Sequence, residues 1–164
     1  MHDRDGAGFG RGAAFVGVVA ADSVVGVDRT SNFLLDIIRM KSLIPWIHHS
    51  SAAEYYFAEG CFITEWWNEP TDNAVSVARA RVEAGMTTRW HRLRSVTERY
   101  LILEGQGQVE VGDLPPEAVE PGAVVVIPPE TRQRLTNIGA VDLIFLAICT
   151  PRFTPACYED LEPD

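Results

Sequence analysis

The sequence predicts an all-β fold, a single antiparallel β-barrel or sandwich preceded by a partly helical N-terminal extension. Three observations predict it: from residue 60 onward short strand-like runs follow one another closely, Gly, Pro and Asn turn signals separate them, and no helical period intervenes. With 164 residues, 46% hydrophobic and 23% charged, the chain has the length and composition for one domain with a sizeable core.

Taken in order, residues 1–59 form the extension. A Gly/Ala/Val-rich start leads into SNFLLDIIRMKSLI, where Ser31 is placed to cap a short helix that Pro45 ends. Met40 lies within this stretch, so translation starting there is one expectation, and an extension that folds over the barrel or reaches a partner subunit is the other. Residues 60–152 carry the strands CFITEWW, AVSVARARV, TRWHRLR, ERYLILEG, GQVEVG, AVVVIPP, RQRLTN and VDLIFLAIC, separated by turn segments such as NEPTDN, EAGM and VGDLPPE. Residues 153–164 make a short tail, with a helical turn expected around Tyr158 to Leu161.

Charge and cysteine content exclude several classes of function. The net charge of −9 leaves no basic stripe for nucleic acid and disfavours an anionic membrane surface. No apolar run reaches the length of a membrane span, and Asp3, Asp5 and Asp22 spoil the N-terminus as a signal peptide. Cys61, Cys149 and Cys157 are odd in number and widely spaced, which predicts reduced thiols in a cytoplasmic protein rather than a disulfide framework or a structural zinc site.

Strand alternation selects the candidate site. Side chains two apart share a face, so Arg89, His91 and Leu93 point one way along TRWHRLR, and Glu98, Tyr100 and Ile102 share a face of the next strand. The short loop between them lets His91 and Glu98 meet inside one cavity. In RQRLTN, Gln133 and Leu135 share a face while Arg132 and Arg134 take the outer one, since burying unpaired cations is costly. His91, Glu98, Tyr100 and Gln133 are thus the inward polar groups among Leu, Ile and Val. The face of Glu65 is not decided by its strand.

The spacing resembles the two motifs of the cupin superfamily. Gly85, His91, Glu98 and Gly105 match G-x5-H-x-H-x4-E-x6-G, with Leu93 at the second histidine. Gly122, Pro128 and Asn137 match G-x5-P-x-G-x2-H-x3-N, with Glu130 at its glycine and Gln133 at its histidine. The closing ICTPRF resembles the tail of small single-domain cupins labelled mannose-6-phosphate-isomerase-like. The resemblance implies a double-stranded β-helix (jelly roll), a homodimer, and one divalent metal ion held by His91, Glu98 and Gln133; no organic cofactor is indicated.

Three chemistries are compatible with those residues. A degenerate metal site would use His91, Glu98 and the weakly ligating Gln133 amide, which suits hard ions better than zinc or iron. Metal-free acid–base chemistry would use His91 as base, Glu98 holding its far nitrogen, and Tyr100 as acid, as the resemblance to sugar epimerases implies. A binding barrel would use the same four groups to orient a small molecule without turnover. The expectation is therefore a small-molecule-binding barrel, with isomerase or epimerase action on a sugar or similar carbonyl compound as the alternative and a dioxygenase behind it. Each residue also has a plainer role: His91 as a hydrogen-bonded core group, Tyr100 as packing, Gln133 as a partner of Glu98, Asn137 as a turn former. Arg79, Arg81 or Arg89 would hold a phosphate only if they faced inward. Trp66, Trp67 and Trp90 are placed to line the pocket mouth, bury a subunit interface or fill core.

Overall fold

A computed structural model describes residues 47–162. The helix expected after Ser31 and the alternative start at Met40 lie outside the described residues.

Eleven strands run through the described residues: β1 (Tyr55–Phe57), β2 (Cys61–Trp67), β3 (Ser76–Val82), β4 (His91–Leu93), β5 (Thr97–Glu104), β6 (Gly107–Val111), β7 (Glu117–Val119), β8 (Val124–Ile127), β9 (Gln133–Asn137), β10 (Leu143–Thr150) and β11 (Tyr158–Asp160). They form a six-stranded sheet ordered β1-β2-β3-β10-β5-β8 and a five-stranded sheet ordered β11-β4-β9-β6-β7, with every pairing antiparallel. The all-β expectation holds.

Two boundaries differ from the sequence expectation. Residue 60 falls inside the first hairpin, because Tyr55–Phe57 pairs with Cys61–Ile63 and belongs to the barrel rather than to the extension. At the other end a 3-10 turn spans Pro155–Cys157 and is followed by a strand, not by a helical turn over Tyr158 to Leu161. The open edge of β4 decides this, since β11 satisfies its backbone groups by pairing Tyr158 with Leu93 and Asp160 with His91.

The two sheets close on a shared core. Val82, Ile102, Leu135, Leu143 and Phe145 interlock with Val109 and Ile127, and each is at most 5% exposed. At this end Gly105 turns the chain with φ +84, and a Cβ there would stand 2.7 Å from the Asp142 carbonyl oxygen. Asn137 staples the same end: its amide donates to the Val82 and Val141 carbonyls and its oxygen accepts from Gly139 N–H, so it does shape the turn.

The other end of the barrel is polar. His91 and Gln133 are cross-strand partners in the five-stranded sheet, and Glu98 and Cys149 are partners in the six-stranded one. Arg132 and Arg134 lie outside, both over the ring of Trp90, at 5.0 and 4.6 Å from its centroid. A second apolar cluster of Leu93, Val96, Cys149 and Cys157 packs at this end.

Candidate binding cavity

A cavity of about 610 Å3, open solvent at its mouth included, enters the polar end. It exists because β3 and β10 put small side chains, Ala78, Ala80 and Ala147, on the inward face where larger ones would fill the barrel. Glu98 and Tyr100 line it, as alternation along β5 predicts. His91 and Gln133 do not; they stand behind the lining at 2% and 0% exposure.

Glu98 ties the sheets together. Its Oε2 accepts from Gln133 Nε2 at 2.6 Å, and Cys149 Sγ donates to its Oε1 at 3.7 Å. Burial raises the Glu98 pKa, Glu59 adds to the rise, and His91, Gln133 and Cys149 pull it back. The other Gln133 atom, Oε1, is buried without a partner among the described residues.

His91 is not oriented by Glu98. Its Nδ1 faces the Arg89 carbonyl oxygen at 2.9 Å, its Nε2 faces Glu59 Oε2 at 3.6 Å, and Tyr158 stacks on the ring at 5.3 Å and 24°. A proton on Nδ1 satisfies the carbonyl and leaves the Nε2 lone pair toward Glu59. Burial lowers the His91 pKa, outweighing the opposing pull of Glu98, the Arg89 carbonyl and Asp160. The ring is therefore neutral near pH 7.

Glu59 is the residue that motif reasoning missed. It sits in the β1–β2 turn, assigned by sequence to the extension. Its carbonyl accepts from Arg89 N–H at 2.7 Å, which fastens the turn to the segment entering β4, and Gly60 follows with φ +101. That places its carboxyl between His91 and the cavity, 12% exposed on the cavity side. Burial pushes its pKa up to about 8, with the charge of Asp160 adding to the rise. The sole sequence signal was an acidic residue beside a turn glycine directly before a strand, which no motif contains. Glu65, undecided from sequence, also lines the cavity and accepts from Asn68 Nδ2.

The tryptophans separate in the structure. Trp67 lines the cavity and donates to Asp72 Oδ2 at 3.0 Å, Trp66 is exposed, and Trp90 is capped by arginines. Tyr100 packs its ring on Phe145 with centroids 4.6 Å apart. Burial raises its pKa well above that of an ordinary phenol, so it remains a proton donor. Arg79 and Arg81 pair with Glu54, and Arg89 pairs with Asp160; none of the three lines the cavity.

The divalent metal implied by the motif resemblance does not fit these positions. Leu93 supplies hydrocarbon, Gln133 turns its amide nitrogen to Glu98, and His91 Nε2 faces Glu59. Among the described residues no three His, Cys, Asp or Glu side chains converge as a ligand set.

Comparison with known proteins agrees with this architecture. The family model described as "Cupin domain" matches residues 78–149. Residues 78–149 carry a cupin domain. An uncharacterised protein of Methanocaldococcus jannaschii is 37% identical over 87 residues, which is 53% of this chain and 66% of that protein, so the chain spans slightly under two thirds of that relative. A double-stranded β-helix protein of Klebsiella pneumoniae is similar in structure, with TM-score 0.56, 14% identity, and 66% of this chain and 90% of that one covered. A Streptomyces nucleoside dehydratase superposes with TM-score 0.60 at 15% identity, covering 73% of this chain and 92% of that one. The oxalate decarboxylase of Lactobacillus farciminis, solved as a formate complex, gives TM-score 0.58 at 20% identity over 67% of this chain and 33% of that one. At these identities the structural matches establish the double-stranded β-helix fold of the cupin barrel, and that fold hosts many chemistries. Among the described residues, no helix is long and apolar enough to cross a membrane.

Proposed function

We propose that this cupin binds a small polar molecule and moves a proton on it by metal-independent acid–base chemistry, the isomerase or epimerase type on a sugar or similar carbonyl compound leading. One observation carries the reading: Glu59, with its pKa pushed up to about 8, stands at the cavity wall with His91 Nε2 behind it at 3.6 Å. A carboxyl tuned near neutrality can both take and return a proton, and a neutral imidazole behind it can share that proton. A separation of 3.6 Å is the loose geometry expected before a ligand tightens the pair. The hydroxyl of Tyr100, which lines the cavity, is the group that would donate to a carbonyl oxygen as negative charge develops there. His91, Glu98, Tyr100 and Gln133 thus keep parts in the site, but Glu59 takes the contact expected of His91, and Gln133 acts by holding Glu98.

A homodimer in a reducing cytosol is part of the proposal; the family resemblance and three buried free thiols support it. Light scattering of the full chain tests the dimer.

The experiment is incubation of the protein with a panel of reducing sugars in D2O, followed by NMR. The reading expects deuterium to enter the carbon beside the carbonyl for at least one sugar, and Glu59→Gln to abolish the exchange. Ligand-induced stabilisation without exchange would leave a binding barrel; exchange unchanged in Glu59→Gln would remove Glu59 from the chemistry.

A further inference from the structure

The charge on the cavity walls is one-sided. Among the described residues three carboxyl groups line the cavity, those of Glu59, Glu65 and Glu98, and no Arg or Lys does. Arg152 comes near only through its bond to Asn68 Oδ1. The rest of the wall is aromatic, with Tyr55, Phe57, Trp67, Tyr100, Phe145 and Phe153. Tyr100 is 3% exposed at this wall.

We propose that the cavity takes a small molecule bearing a cationic nitrogen, an ammonium or amidinium group, and rejects phosphorylated and carboxylate ligands. The proposal deepens the binding reading and rests on it. An ammonium in the cavity gains charge-assisted hydrogen bonds from carboxyl groups on its wall, and the faces of the aromatic rings that line it attract the cation through their quadrupoles. An anion there would meet carboxyl groups on the wall and, among the described residues, no lining Arg or Lys. Burial already raises the pKa of Glu59 and Glu98, and a cationic ligand in the cavity would offset that cost of holding their charged forms. The chain's net charge of −9 favours approach of the same ligand class.

The test is titration of the full chain, followed by calorimetry and Trp67 fluorescence, with three isosteric series. Choline is set against 3,3-dimethylbutanol and 3,3-dimethylbutanoate, benzylamine against benzyl alcohol and benzoate, and glucosamine against glucose and glucose 6-phosphate. The expected result is at least one cation bound about tenfold or more tighter than its neutral isostere, with the matching anion not binding, as the gain from desolvated charge contacts implies. In Glu65→Gln, at the cavity wall and outside the buried bonding network, the preference shrinks severalfold while the neutral isostere is unaffected. Equal or tighter binding of the neutral or anionic members, or no binding of any cation up to about 10 mM, a free energy weaker than about 3 kcal/mol, would overturn the proposal. The titration reads no proton exchange, so a cation preference without deuterium incorporation keeps this inference and removes only the catalytic one.

Discussion

Glu59 Oε2 stands 3.6 Å from His91 Nε2, although the motif that delivers His91 does not contain Glu59. The contact joins a turn of the six-stranded sheet to a strand of the five-stranded one.

Glu59 makes stability depend on pH in a direction that can be worked out. Its folded pKa, about 8, exceeds the ordinary 4.5, so between those values the folded state holds more protons and stability falls as pH rises. His91 acts oppositely: its folded pKa is lowered, so its contribution grows as pH rises toward 6.5 and is complete above it. The two partly cancel below 6.5, and the net loss emerges between about pH 6.5 and 8. Glu59→Gln should flatten that limb, gaining about 2–4 kcal/mol on wild type between pH 5 and pH 9 in denaturant melts. An unchanged slope would show that Glu59 ionises normally.

Gln133→Leu should destabilise the barrel by about 1–3 kcal/mol, because Glu98 loses its short amide donor and keeps only the Cys149 thiol. Removing the unpartnered Gln133 Oε1 offsets part of the cost. The Glu98 pKa should move further up, which a carboxyl-carbon NMR titration would read.

Gly105→Ala and Gly85→Ala separate conformational from steric cost. Both glycines have positive φ, +84 and +75, but a Cβ at Gly105 would strike the Asp142 carbonyl and Leu143 Cα, whereas Gly85 has nothing within 4 Å. The Gly85 variant should lose about 1 kcal/mol and the Gly105 variant about 2–4 kcal/mol in thermal melts.

Glu130 holds φ +63 where the second motif has glycine, and its Oε1 accepts from Ser95 N–H at 3.0 Å. Glu130→Gly relieves the backbone and loses that bond, so it should be nearly neutral. Glu130→Ala keeps the strain without the bond and should cost about 1 kcal/mol more than the glycine variant, measured by chemical unfolding.

Dialysis against EDTA should leave both the melting temperature and the ligand response unchanged, because Leu93 and the Gln133–Glu98 bond take up positions that metal ligands would need. Metal at near stoichiometry in elemental analysis, lost in His91→Ala, would contradict this.

Strand rhythm, turn residues and two spaced motifs determined the barrel, because alternation and glycine turns are local consequences of backbone sterics. They also placed Glu98 and Tyr100 on the cavity wall and the arginines beside Trp90 outside, since two residues on one strand share a face in any tertiary setting. Pairing across the barrel was not local. That β11 covers β4, that Glu65 points inward, and that Glu59 rather than Glu98 meets His91 all depend on which strands lie side by side. Leu93 showed in the sequence that a ligand was gone; only the folded turn at Glu59 and Gly60 shows a carboxyl from outside the motif facing that histidine, because its position depends on the long-range bond from Arg89 N–H to its carbonyl.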